Sequence, residues 1–129
     1  MKQTIIKILK KSIPDIEAIY IFGSVAEGRD GSSSDVDIAF LSPTPIESLK
    51  VWELSNEIAF ELKRDVDLVE LKQTNTIFRF QIISKGDRIY CNNEKEIEAY
   101  ESLVWSFYVR FKDERRAIDE QILKDGRVY

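Results

Sequence analysis

Apolar positions along this chain follow two different periodicities. Four stretches repeat apolar residues every three or four positions, which is typical of helices that bury one face. Four shorter stretches are apolar runs flanked by turn residues, which is typical of strands. The pattern predicts helices over residues 2–12, 46–63, 75–84 and 94–124 (the last as one helix or two), and strands over residues 17–22, 35–41, 64–70 and 88–91. Interleaved elements of this kind predict an α/β or α+β fold with a small mixed sheet.

Two of the predicted helices carry apolar residues on more than one face. In the helix over 46–63 they fall around much of the circumference, so we expect it to be buried on more than one side. In the last helix Trp105, Phe107, Tyr108 and Phe111 have helical spacing, and we expect most of them to lie in the core. Trp105 lies off the main stripe, so a surface for a partner protein is the alternative for this residue.

Composition narrows the class of protein. The 129 residues, with 43% hydrophobic and 33% charged residues, predict one folded domain over 1–129. A net charge of −4 argues against strong direct binding to nucleic acid or to an anionic membrane. Since there is no histidine, histidine-dependent nucleophilic mechanisms and histidine zinc sites are excluded. The single cysteine and the lack of a signal peptide or transmembrane stretch fit a cytoplasmic protein.

The most informative motif joins the first two predicted strands. Gly23-Ser24 follows the first strand, and ten residues later the second strand begins with Asp35-Val36-Asp37. Side chains alternate along a strand, so Asp35 and Asp37 share a face. Two carboxylates held together favour a cation between them, and hard oxygen ligands suit Mg²⁺. Because Gly23 lets the backbone approach a phosphate closely, the motif predicts phosphoryl or nucleotidyl transfer.

The spacing Gly23-Ser24-x10-Asp35-x-Asp37 resembles the signature of the nucleotidyltransferase superfamily related to DNA polymerase β. The short chain is similar to its minimal members, the MNT proteins, many of which are antitoxins paired with a HEPN-domain ribonuclease toxin. The resemblance implies the polymerase β-like fold with a long C-terminal helix. One position departs from the family pattern: Glu27 stands where Arg is common, and Arg29 is the candidate that replaces it as a phosphate contact.

The resemblance also implies roles for individual residues. Asp35 and Asp37 would hold two Mg²⁺ ions, Gly23 and Ser24 would hold the phosphates of ATP, and a third carboxylate would come from the strand after the long helix. That strand offers Asp65 and Asp67, which share a face, and we favour Asp67 because its setting, Val66-Asp67-Leu68-Val69, is like that of the family's third acid. Asp67 would be a metal ligand and the general base for the acceptor hydroxyl.

Three functions follow from these expectations. The first is a Mg²⁺-dependent nucleotidyltransferase that moves AMP from ATP to a tyrosine of a cognate HEPN toxin. The second is a non-catalytic antitoxin that neutralises its toxin by occlusion. The third is an adenylyltransferase for small, aminoglycoside-like molecules, although the chain is too short to provide an obvious extra domain for such an acceptor.

Overall fold

A four-stranded mixed sheet organises the chain, in the strand order β3-β2-β1-β4. The computed structural model describes residues 1–26, Gly28 and residues 35–124. The strands are β1 (Ala18–Phe22), β2 (Val36–Leu41), β3 (Val66–Glu70) and β4 (Asp87–Cys91), and the helices are α1 (Lys2–Ser12), α2 (Gly23–Ala26), α3 (Ser48–Leu62), α4 (Thr76–Lys85) and α5 (Glu94–Lys124). The predicted mixed sheet with a long C-terminal helix is therefore confirmed, with α5 as one helix.

Strand pairing places the first residues of β2 in the middle of the sheet. β1 pairs with β2 and with β4 in antiparallel register, whereas β2 and β3 are parallel and are connected through α3. In this register Phe22 lies opposite Asp37, and Asp37 lies opposite Asp67. One row of residues across three strands therefore carries two of the predicted site carboxylates.

Each face of the sheet has its own hydrophobic core. On one face, the odd-numbered β1 residues and the even-numbered β2 residues pack with α1 and α3, in a cluster that includes Ile5, Ile19, Ile38 and Ile58. On the other face, Tyr20, Ala39 and Leu41 pack with Ile82 of α4 and Ile97 of α5. By alternation along β2 and β3, Asp37 and Asp67 belong to the face covered by α4 and α5.

The structure corrects the expectation that α3 is buried on more than one side. Only Leu54 and Ile58 of this helix are buried, while Trp52 is 62% exposed and Phe60 is 80% exposed. The apolar residues occupy several faces in sequence, but only one face of α3 meets the sheet and α1. The remaining apolar side chains are surface residues.

The aromatic residues of α5 also lie mostly outside the core. Trp105, Phe107 and Phe111 are exposed, and Tyr108 is half-buried because its ring stacks on Phe80 at a centroid distance of 3.8 Å. The buried residues of α5 within the part of the helix with described side chains are Ile97 and Val104. The expectation of a mainly core position for this group was therefore wrong.

Candidate active site

The candidate site forms where β1 ends and β2 begins. The chain leaves β1 at Phe22 and turns directly into the short helix α2 at Gly23, which has a φ of +73°. This left-handed backbone suits glycine, because it costs a residue with a side chain about 1–2 kcal/mol. The turn brings Gly23 beside the β2 residue that pairs with Phe22.

Gly23 and Asp37 are in close contact. A Cβ atom at Gly23 would lie 2.3 Å from Oδ2 of Asp37, a separation that non-bonded atoms do not adopt. The glycine is therefore needed twice, once for the positive φ and once for the space that the Asp37 carboxylate occupies. The Gly-Ser turn and the second aspartate, which are far apart in sequence, form one site.

The charges around Asp37 are those expected of a cation site. Burial raises the pKa of the Asp37 carboxyl above its ordinary value, and the neighbouring charges of Asp67 and Asp35 raise it further. The negative charges of Asp35 and Asp67 thus act on a third carboxylate, Asp37, which is half-buried. Since like charges at short range are costly, a divalent cation at this point would stabilise the ionised set.

The three carboxylates differ in exposure. Asp35 is exposed just before β2, Asp67 is exposed within β3, and Asp37 lies between them and is half-buried. Within residues 1–26, 28 and 35–124, no three His, Cys, Asp or Glu side chains are already arranged to hold a metal ion. Coordination of one ion by all three therefore requires the exposed side chains of Asp35 and Asp67 to turn towards Asp37.

Asp65 has a different position from Asp67. Its backbone carbonyl accepts a hydrogen bond from the Val36 N–H at 2.9 Å, which aligns the beginnings of β2 and β3. Its side chain lines a separate surface cavity together with Asn56, Phe60 and Lys63. Of these two carboxylates, Asp67 is the one that lies opposite Asp37 in the sheet and whose charge raises the pKa of Asp37.

A cavity of about 310 Å³ opens directly beside these groups. It is lined by Gly23 and Asp37 on the sheet side and by Gln81 and Lys85 of α4 on the other. Phe22 and Phe78 form its apolar wall, with their rings edge to face at 5.6 Å. Sequence reasoning missed Gln81 and Lys85, because their helix gives no sign of which end of the sheet it covers.

A larger cavity of about 610 Å³ lies towards the other end of β3. Its acidic residues include Glu70, and a Glu70 oxygen accepts a hydrogen bond from the Ile46 N–H at 3.5 Å. It contains neither the glycine turn nor the aspartate row. The smaller cavity is therefore the one that the glycine turn and Asp37 border.

Three residues of the motif lie partly or wholly outside the described part of the structure. Ser24 belongs to α2, but its side chain lies outside the described part of the structure. Arg29, the candidate phosphate contact, and Glu27, the departure from the family pattern, also lie outside the described residues.

No helix of the described residues is long and apolar enough to cross a membrane.

The sequence of this chain is similar to those of known nucleotidyltransferases. Residues 3–95 match the family described as "Polymerase beta, Nucleotidyltransferase". The protein adenylyltransferase MntA of Shewanella oneidensis is 33% identical over 119 residues, which cover 92% of this chain and 85% of MntA.

Solved structures extend the similarity to the fold. A chain of a toxin–antitoxin crystal structure with AMP-PNP has 32% identity and a TM-score of 0.83, covering 95% of this chain and 98% of that one. A chain from the structure of a tri-AMPylated Shewanella oneidensis HEPN toxin in complex with its MNT antitoxin has 30% identity and a TM-score of 0.77, with 95% of both chains covered.

Proposed function

The chain belongs to the polymerase β nucleotidyltransferase family, and on that premise we propose that it transfers AMP from ATP to a tyrosine of a cognate HEPN-type toxin and thereby neutralises it. The observation that carries the proposal is the row that places Asp67 opposite Asp37 and Gly23 against the Asp37 carboxylate. The named relatives support both the AMP donor and the toxin acceptor. We propose that the protein acts in the cytoplasm, where it would meet both ATP and its toxin.

The donor set fits magnesium. Asp35, Asp37 and Asp67 offer only carboxylate oxygens, which Mg²⁺ prefers. Burial raises the pKa of Asp37, and the charges of Asp67 and Asp35, which a cation would offset, raise it further. We propose that these three residues hold two Mg²⁺ ions. Bound Mg²⁺ supplies neutralisation of phosphate charge and a lower pKa for the acceptor hydroxyl.

The residues of the chain then have defined roles in the transfer. Gly23 and Ser24, at the turn after β1, would hold the β- and γ-phosphates of ATP, and Arg29 would also contact them. The tyrosine oxygen attacks the α-phosphorus of ATP, and the bond from that phosphorus to the β-phosphate oxygen breaks. Asp67 accepts the hydroxyl proton, and the products are AMP-tyrosine and pyrophosphate.

The test is the mass of the toxin after incubation. We expect the wild-type protein, with ATP and Mg²⁺, to add one or more AMP groups to its cognate HEPN toxin. Asp35→Asn and Asp37→Asn should add none, because each removes a charge from the metal site while the fold is kept. Transfer at wild-type rates by either variant would contradict the metal assignment.

Neutralisation by occlusion is the second candidate, and the exposed aromatic residues of α5 favour it. Trp105, Phe107 and Phe111 are exposed apolar side chains that could contact a toxin without any chemistry. The same experiment separates the two functions. A toxin that is inactive at unchanged mass supports occlusion, whereas a toxin that is inactive only after its mass rises supports AMP transfer.

A further inference from the structure

We propose that Lys85 is a further nucleotide-positioning residue of this site, and that it binds the β- and γ-phosphates of ATP. The inference rests on the proposed function and assigns a residue on α4 to it. Lys85 lines the 310 Å³ cavity across from Gly23 and Asp37, and it is the cation among the described lining residues. A triphosphate held at Gly23 would therefore lie within the cavity that Lys85 borders.

Lys85 is free to bind an anion, unlike the other cations near α4. Arg79 donates hydrogen bonds to the carbonyl oxygens of Leu71, Lys72 and Thr74, so its guanidinium holds the turn before the helix. Lys72 donates to the Ser42 carbonyl and lies 3.6 Å from a Glu17 oxygen. The Lys85 ammonium, by contrast, makes neither an ion pair nor a hydrogen bond with any group of the described residues.

The backbone next to Lys85 is fixed against the end of β1. A Cβ atom on Gly86 would lie 2.3 Å from the Ile82 carbonyl oxygen and 3.1 Å from that of Ile21. Only a residue without a side chain lets the end of α4 approach the strand so closely. Ile21 is two residues before Gly23, so this contact holds Lys85 at the phosphate end of the site.

The charge of Lys85 would offset the repulsion between the phosphates of ATP and the carboxylates of the site. ATP must bring its negative phosphates to a cavity bordered by Asp37, whose pKa is already raised by burial and by Asp67 and Asp35. A lysine ammonium on a flexible stem is a compact charge that suits phosphate binding. The competing explanation is that Lys85 only complements the helix dipole, since it is the basic residue in the last turn of α4.

Binding of a phosphate series separates these explanations. We would measure the affinities of AMP and AMP-PNP, with Mg²⁺ present, for the wild-type protein and for Lys85→Met, Lys85→Arg and Lys95→Met. Methionine keeps the length and helix propensity of lysine without its charge. Lys95 is the matched control, because it is an exposed lysine in the first turn of α5.

We expect Lys85→Met to bind AMP-PNP at least about tenfold more weakly, in keeping with a lost charge-assisted hydrogen bond, and to bind AMP almost normally. Lys85→Arg should restore most of the AMP-PNP affinity, and Lys95→Met should match the wild type. Unchanged AMP-PNP affinity in Lys85→Met, or an equal loss for AMP, overturns the inference. If the wild-type protein itself fails to bind AMP-PNP, the proposed function fails as well, so the two failures are distinguishable.

Discussion

Asp37 lies at the centre of the candidate site, and the environment of its carboxyl group affects the stability of the fold. Its pKa in the folded protein is raised above the ordinary 3.8, so the folded state binds a proton there more readily than the unfolded chain does. Protonation of Asp37 therefore contributes to the stability of the fold, and this contribution is fully present below pH 3.8. It is lost as the pH rises through the unfolded and then the folded pKa of this group.

We therefore expect Asp37→Asn to be more stable than the wild type at neutral pH without added metal. The gain should be small near pH 3.5 and should grow as the pH rises, because only the wild type acquires the buried charge. Melting temperatures of both proteins across pH 3.5–7 measure this difference. A gain that is largest at low pH would contradict the charge environment assigned to Asp37.

Gly23 allows a matched test of close packing at the site. Gly23→Ala should lose about 10²-fold or more in AMP transfer, because the new methyl group displaces the Asp37 carboxylate with which it collides. Gly28→Ala is the control, since Gly28 has a similar φ of +71° and no atom of the described residues lies within 4 Å of its added Cβ.

Both alanine variants should lose about 1–2 kcal/mol of stability from the positive φ. Single-turnover transfer rates and melting temperatures of the two proteins check the prediction. Equal activity losses would show that the backbone strain, and not the contact with Asp37, explains the requirement for glycine.

At the scale of elements, a partly buried cluster of polar side chains joins α5 to the sheet. The Tyr20 hydroxyl donates to Oε1 of Glu101 at 3.1 Å, and Nη1 of Arg88 donates to the same oxygen at 2.6 Å. Burial, and then the charge of Glu101, raises the pKa of Tyr20, so the hydroxyl stays a neutral donor. Glu101 thereby joins α5 to β1 and β4.

We expect Glu101→Gln to destabilise the protein by about 1–3 kcal/mol, because it removes the charged partner of a partly buried Arg88. Glu94→Gln is the control: Glu94 also lies near Arg88, at 3.6 Å, but its side chain is 72% exposed against 21% for Glu101. An exposed pair contributes about 0–1 kcal/mol. Urea denaturation of both variants measures the difference, and equal losses would contradict the assigned role of Glu101.

Trp105 lies on α5, one helical turn beyond Glu101. It is 46% exposed and meets Phe80 of α4 edge to face at 4.6 Å. Since α4 also borders the cavity beside Gly23 and Asp37, Trp105 is a candidate contact for an acceptor protein.

We expect Trp105→Ala to cost about 1 kcal/mol of stability, the value of an aromatic pair, and not the ~3–5 kcal/mol of a core tryptophan. Toxin affinity should fall roughly thirtyfold, as at an interface hot spot. Phe60→Ala, on the opposite face of the sheet, should leave affinity unchanged. A large stability loss, or equal affinity losses in both variants, would contradict the prediction.

Elements were easier to predict from the sequence than their burial. The apolar runs of β1 and β2, and the cap in which Asn75 accepts from the Phe78 N–H at 2.8 Å, are local features, so α4 and the strands were expected close to their observed bounds. The exposure of Trp52 and Phe60 could not be foreseen. A pattern shows which faces are apolar, but the number of faces covered depends on the neighbours.

For the whole molecule, the topology turns separate sequence motifs into one site. Gly23 and Asp37 belong to a recognisable motif, whereas the pairing of Asp37 with Asp67 depends on the parallel register of β2 and β3. That register follows from how α3 crosses the sheet, which no local pattern encodes. For the same reason Lys85, which reaches the cavity from α4, could not be found from the sequence.

The rate of AMP transfer to the HEPN toxin by Asp67→Asn and Asp65→Asn, measured by intact mass, tests the central claim most directly. Both variants remove one exposed carboxylate near the start of β3, but only Asp67 lies opposite Asp37. We predict that Asp67→Asn loses transfer almost completely and that Asp65→Asn retains a rate close to that of the wild type. Normal transfer by Asp67→Asn, or an equal loss in both variants, would contradict the account.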